Sequence, residues 1–259
     1  VHALNLALRA YISGHAPWSD AYESLVYISL ISVLAGVLFF KHQSFALGAA
    51  SLFASVSLLV AHLNFINPQI TNLVPVLKSF WLSVHVSVIT ASYGFLGFGF
   101  VLGLVGLILM ALKNDKNEQK LSEQIRYLAA TDELSLIIGL SLLTVGNFLG
   151  AVWANESWGR YWGWDSKESW SYITIIVYAI VLHLRFIPKL KGVFTFLTAS
   201  VLSFASVLFT YFGVNFYLSG LHSYANGESF GVSGLIYMIL AALALLIALA
   251  YRGRDIKVV

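Results

Sequence analysis

WLSVHVSVITASYGFLGFGFVLGLVGLILMAL, residues 81–112, decides what kind of protein this is. It runs for 32 residues without an Asp, Glu, Lys or Arg, whereas a bilayer-spanning helix needs about 20 apolar residues. Such a stretch cannot sit at a water-facing surface. Being overlong, it tilts or projects beyond the bilayer. Working outward from it, six further stretches have the length and polarity of spans: Tyr22–Phe40, Ser44–Leu63, Leu134–Trp153, Trp170–Phe186, Val193–Phe212 and Val232–Tyr251. Trp170–Phe186 is short by a few residues. The 21 residues Lys113–Glu133 form a charged link with amphipathic spacing.

Composition agrees. Of 259 residues 59% are hydrophobic and 10% charged, against about 25% charged in an ordinary soluble domain. The mean hydropathy is +0.81. These values exclude a water-soluble enzyme and a nucleic-acid binder. The expected fold class is all-α: a polytopic membrane helical bundle of about seven transmembrane helices, forming one membrane-embedded domain over residues 1–259. Cysteine is absent, which excludes disulfides, thiolate metal sites and covalent haem attachment to this chain. Seven histidines and two methionines are the remaining soft ligands.

At the N-terminus, Val1–Tyr11 has helical apolar spacing before Ser13–Gly14 and Pro17 interrupt it. It reads as the tail of an upstream helix in an outer N-terminal segment, residues 1–20. Without an initiator Met or a signal-peptide pattern, the chain is expected to be part of something longer.

Lys and Arg set the orientation. Loops that share one side hold Lys41, Lys113, Lys116, Lys120, Arg126, Arg185, Lys189, Lys191, Arg252, Arg254 and Lys257, eleven in all. The other side holds only Arg9, Lys78, Arg160 and Lys167. The positive-inside rule makes the first side cytoplasmic, with the C-terminus inside. The loops Asn64–Phe80, Ala154–Ser169 and Asn215–Gly231 then face outward.

The second outward loop is unusual. Within the 18 residues 153–170 lie Trp153, Trp158, Trp162, Trp164 and Trp170, five of the seven tryptophans. An interfacial aromatic belt would account for Trp153 and Trp170 at helix ends, but it fits the middle three poorly. Trp158, Trp162 and Trp164 alternate with Gly159 and Gly163, which admit close approach of backbone or of a flat ligand, and several indole faces suit a large planar aromatic. Asp165 and Glu168 are candidates for capping and dipole partners of the next helix, with Lys167 between them. Two histidines share this side: His85, near the outer end of the third span, and His222, in the last outward loop. Together they could ligate a porphyrin iron from opposite faces; singly, each reads rather as a hydrogen-bonded or interfacial histidine. His183 lies about 20 Å inward from Trp170, counting 1.5 Å per residue. A polar group at that depth reads as a relay ligand or as an interhelical hydrogen bond. Arg185 beside it is expected to snorkel to the interface. His2, His15, His42 and His62 read as ordinary histidines.

These residues resemble a known family. Trp158-Gly159-x-x-Trp162-x-Trp164-Asp165 is similar to the tryptophan-rich "WWD" signature of haem-handling proteins in cytochrome c biogenesis. The continuation Ser166-Lys167-Glu168-Ser169-Trp170 resembles the CcsA (ResC) branch, with Ser166 where that branch commonly has Pro. The opening Arg9-x-Tyr11-x-Ser13-Gly14-His15-Ala16-Pro17, then Tyr22-Glu23-Ser24, is similar to the same branch. The resemblance covers essentially the whole chain and suggests the C-terminal CcsA half of a fused CcsBA synthase, or a CcsA whose first helix is absent.

What the resemblance implies is concrete. Haem b would be exported as a transported substrate and held beneath the WWD loop, with His85 and His222 as outward ligands of the haem iron and His183 as one of two membrane-site ligands. Trp158, Gly159, Trp162, Gly163, Trp164 and Asp165 would contact it. A cytochrome c synthase (haem lyase) would then join its vinyl groups to the Cys-x-x-Cys-His thiols of apocytochrome c. The implied partners are a CcsB half or subunit, which would supply the second membrane-site histidine, apocytochrome c and membrane lipid. The implied location is the cytoplasmic (inner) membrane. Two other classes stand beside this reading. A b-type electron-transfer subunit of a quinol-linked complex favours facing histidine pairs inside the bilayer, and a non-haem transporter favours helices broken at midplane, whereas Pro17, Pro68, Pro75 and Pro188 all fall in loops.

Overall fold

The computed structural model describes residues 1–41, 43–63, 66–70, 78–220 and 234–254. Among them every regular element is helical. Helix α1 is His2–Ser13, α2 Ala21–Phe39, α3 Ala46–Ala61, α4 Phe80–Ala111, α5 Glu118–Trp158 and α6 Ser166–His183. Helix α7, Val193–Leu208, runs through a π-helical turn, Phe209–Gly213, into α8, Val214–Tyr217; α9 is Gly234–Arg252.

Six of these stretches are long and apolar enough to cross a membrane. The second expected span differs from expectation: α3 holds only 16 residues, ending where His62 folds its Nδ1 onto the Leu58 carbonyl at 2.8 Å. Its face packs on α2 so tightly that a Cβ at Gly36 would lie 2.4 Å from that of Ala50. With no water to satisfy the backbone and little hydrophobic force between helices in lipid, such close contacts between small residues hold the pair.

The largest departure is α5. The charged link ends early: from Glu118 onward it is the opening part of one 41-residue helix that also contains the fourth span. The charges of Lys120, Glu123 and Arg126 sit at helical spacing, so they decorate a continuing rod rather than interrupt it. Helices α4 and α5 form the central pair of the bundle. Leu96, Leu136 and Leu143 are fully buried between them, and Leu107, Ile125 and Leu197 form a second buried cluster that brings α7 against the pair.

Helix α1 is tied to α2 by charge. Arg9 Nε donates to Glu23 Oε1 at 3.3 Å, its Nη1 donates to the Pro68 carbonyl at 3.1 Å, and the Ser19 N–H caps Glu23 Oε2 at 3.1 Å. Asp20, the N-cap of α2, accepts the Glu23 N–H at 2.7 Å, and burial raises its carboxyl above the ordinary carboxylate range despite Arg9 nearby.

Candidate functional site

His85 sits one turn into α4 and faces α5. Its Nδ1 lies 2.7 Å from the Gly146 carbonyl, so that nitrogen carries the proton and the backbone of α5 orients the ring. The ring runs nearly parallel, at 9°, to that of Trp153, with centroids 6.4 Å apart. Trp153 is fully buried, and it also meets Trp158 edge-on at 4.7 Å. The belt explanation therefore fails for Trp153, which is interior. Room for the imidazole comes from Gly150, where a Cβ would stand 2.6 Å from His85 Cε1. Gly146, Gly150 and Trp153 had no place among the expected site residues, yet their spacing of four and then three is one face of a helix. That spacing is a signal the sequence does carry.

The tryptophan loop is shorter than expected. Helix α5 extends through Trp158, and Gly159 closes it in the left-handed conformation (φ 69°), its N–H bonding the Asn155 carbonyl at 2.9 Å. Helix α6 begins at Ser166, so the irregular segment is only 159–165. Asp165 is its N-cap and Glu168 completes a capping box, as Asp165 Oδ1 accepts the Lys167 N–H at 2.9 Å. The two glycines have local explanations. Gly159 supplies the positive φ, and Gly163 makes room for the Arg160 guanidinium, which a Cβ there would meet at 2.5 Å.

Between them, Trp164 adopts φ 56°, a left-handed conformation that a bulky side chain strongly disfavours. The Glu168 carboxylate holds it there: one oxygen, Oε2, accepts the N–H on either side, from Gly163 at 2.8 Å and Asp165 at 3.1 Å. The result is an indole 73% exposed. It meets Trp162 edge-on at 5.8 Å, and Trp162 in turn meets Tyr172 at 6.4 Å. Trp158 and Trp162 are half-buried. Trp170 instead packs inward on Phe209 at 4.1 Å, where the π-helical turn of α7 begins.

The far end of this loop docks on the segment leading to His222. Ser166 Oγ donates to the Ser219 carbonyl at 2.8 Å and Lys167 Nζ to Asn215 Oδ1 at 2.9 Å. A Cβ at Gly220 would fall 2.1 Å from Asp165 Oδ2. His222 itself, two residues on, lies outside the described residues, as does His42.

His183 is the last residue of α6 and is exposed. Its Nδ1 bonds the Ala179 carbonyl of its own helix at 2.7 Å. A 3-10 turn, Leu184–Phe186, follows. Arg185 pairs with α5: its Nη1 donates to Glu133 Oε1. That contact sets the depth of His183, because α5 continues 15 residues beyond Glu133 to Glu118, about 22 Å at the α-helical rise. Helix α6 therefore stops beside the middle of α5. His62 packs edge-on against Tyr22 at 5.7 Å, and the Nδ1 atoms of His2 and His15 approach Ser29 Oγ at 3.4 Å and the Ala16 carbonyl at 3.1 Å.

Residues 18–222 match a family described as cytochrome C assembly protein. The chain is 58% identical over 228 residues to protein NrfI of Wolinella succinogenes, covering 88% of this chain and 25% of that protein. It is 35% identical over 260 residues to the cytochrome c biogenesis protein CcsA of Prochlorococcus marinus, covering 90% of this chain and 82% of that one. To CcsA of Chlamydomonas reinhardtii it is 40% identical over 228 residues, with 85% and 64% covered. The chain thus spans a quarter of the length of NrfI and most of that of the Prochlorococcus relative.

Proposed function

The chain belongs to the cytochrome c assembly family, and from that premise we propose that it moves haem b outward across the cytoplasmic membrane and presents it for attachment to apocytochrome c. The observation that carries this reading is the setting of His85: a histidine whose tautomer is fixed by the Gly146 carbonyl, parallel to a buried tryptophan, at the same end of the bundle as the Trp loop. Buried metal-binding histidines are oriented by such partners. His222 is the second outward ligand in this reading, supported by the docking of Asp165 and Ser166 onto residues 219–220. Trp158, Trp162 and Trp164 supply indole faces and edges to the macrocycle, while Gly159 and Gly163 shape the loop that presents them.

Haem is the substrate, and the chemistry of attachment is its own. In a synthase the S–H of each client cysteine adds across a vinyl group: a C–S bond forms at one vinyl carbon and the proton ends on the other. No oxidant or reductant is consumed. The protein's part is orientation of the haem edge and the peptide, an effect worth up to about 7–11 kcal/mol. Excluding lipid and water from the joining edge is the second part, done by the loop.

His183 is the relay position. Its face of α6 carries Ile173, Ile176, Ile180, His183 and, past the helix end, Ile187, spaced three, four, three and four and all exposed. That is the seam spacing of a helix-docking face. A CcsB helix seated there would complete the ligation with its own histidine.

The test is the visible spectrum of the detergent-solubilised chain purified with its CcsB part, oxidised and reduced, beside His85→Ala and His222→Ala. A b-type Soret and α band lost or shifted in both variants supports the outward pair. An unchanged spectrum and normal cytochrome c yield in both removes it.

A further inference from the structure

The end of α6 away from the Trp loop gathers a histidine, an aromatic ring and a cation. His183 is the last residue of the helix, and the tight 3-10 turn Leu184–Phe186 follows it directly. The turn brings both of its polar neighbours against one ring. The Phe186 centroid lies 5.7 Å from that of His183, at 53°, and 5.5 Å from the Arg185 guanidinium carbon. Imidazole and guanidinium are thereby kept within the breadth of one porphyrin. Phe186 is 70% exposed and the Arg185 side chain 61%. A guanidinium carries five N–H donors, and the pair with Glu133 Oε1 on α5 uses one of them, from Nη1. That pair ties the guanidinium to the longer helix and leaves donors for a second carboxylate. Lys189 and Lys191, both exposed, follow within six residues.

We propose that Arg185 binds a propionate carboxylate of the haem held at His183, with the Phe186 ring against the macrocycle. The proposal rests on the relay role given to His183 and adds what that position recognises: a porphyrin that carries ionised carboxylates. Such a group is costly to bring to a lipid-facing position unless a cation meets it. The planar fork of an arginine matches a carboxylate through two parallel N–H···O bonds, which an ammonium cannot do. Glu133 already places one carboxylate on this guanidinium. Two carboxylates at one cation repel each other, so Glu133 both orients Arg185 and weakens its grip on the substrate. A station that must pass haem onward needs a grip of that kind.

The experiment uses the complete complex with its CcsB part, carrying His85→Ala so that only haem at the membrane position is counted. Haem and haem dimethyl ester, which keeps the iron and macrocycle but loses both carboxylate charges, are titrated and read by Soret absorbance. Arg185→Ala should weaken haem binding about tenfold, as for one lost charge-assisted hydrogen bond, and leave the ester unchanged. Glu133→Gln, whose amide still accepts from Arg185, should bind haem more tightly than the parent. Equal loss of haem and ester in Arg185→Ala, as a damaged fold or a guanidinium held by lipid phosphate would give, overturns the proposal. Unchanged haem affinity in that variant overturns it too. Weaker haem binding in Glu133→Gln removes the rivalry between the two carboxylates. If His183→Ala binds haem as the parent does, the relay reading fails instead, and the contrast between haem and ester in Arg185→Ala still shows whether a carboxylate meets the guanidinium.

Discussion

His85 and His183 are held by the same bond and in opposite ways. Each points Nδ1 at a backbone carbonyl 2.7 Å away. For His85 that carbonyl belongs to another helix, a tryptophan lies parallel to the ring, and a glycine makes room for it. For His183 it belongs to the residue one turn back, and the ring faces out of the bundle. One imidazole is built into the fold of this chain. The other is tied only along its own helix and lies exposed at its end.

The sharpest way to break this contrast is Gly150→Leu. Its side chain would occupy the position of the His85 ring, so outward haem should drop at least about tenfold, a typical cost of disturbing a ligand's support. Haem at His183 should be unaffected. Soret absorbance per protein, read in His183→Ala and His85→Ala backgrounds, separates the two. Next in size is Gly220→Ala, whose methyl group meets the Asp165 carboxylate. Overpacking of this kind costs about 1–3 kcal/mol, and cytochrome c maturation should fall while haem content at His183 stays constant. If maturation is normal, the docking of the loop on residues 219–220 has no bearing on the outward site.

Trp164→Gly asks whether the strained turn serves stability or function. Removing the side chain relieves a left-handed conformation worth about 1–2 kcal/mol, so thermal unfolding in detergent should shift upward. Maturation should fall, since the most exposed indole is gone. A variant that is both more stable and fully active shows that the indole is dispensable. The smallest effect belongs to the far end. Arg185 is 61% exposed in its pair with Glu133, and such pairs contribute about 0–1 kcal/mol. Arg185→Ala should therefore leave stability nearly unchanged, checked by the same melting curve.

Much of the architecture is visible in hydropathy, because a charge-free run of 32 residues has one physical home. The positions of His85, the Trp cluster and the Asp165–Glu168 cap were legible for similar reasons, since capping chemistry and aromatic clustering are local. The continuity of α5 was not. Charged residues at helical spacing look alike whether they coat a loop, a surface helix or the protruding part of a span. The interior place of Trp153 was hidden because a tryptophan at a helix end fits a belt equally well, and only the partner helix decides. In sequence Asp132 is one of several acids in a charged link. Its burial follows from α5 being unbroken, which places it opposite the glycines of α4.

That unbroken helix also works as a ruler with an angular scale. Gly146, which orients His85, and Glu133, which pairs with Arg185 beyond His183, lie 13 residues apart on α5. At the α-helical rise and turn this amounts to about 20 Å of separation, and each residue contributes about 100° of rotation. Inserting a single alanine between them would lengthen the gap by little more than an ångström. It would also swing one histidine's support a quarter-turn or more out of register with the other's.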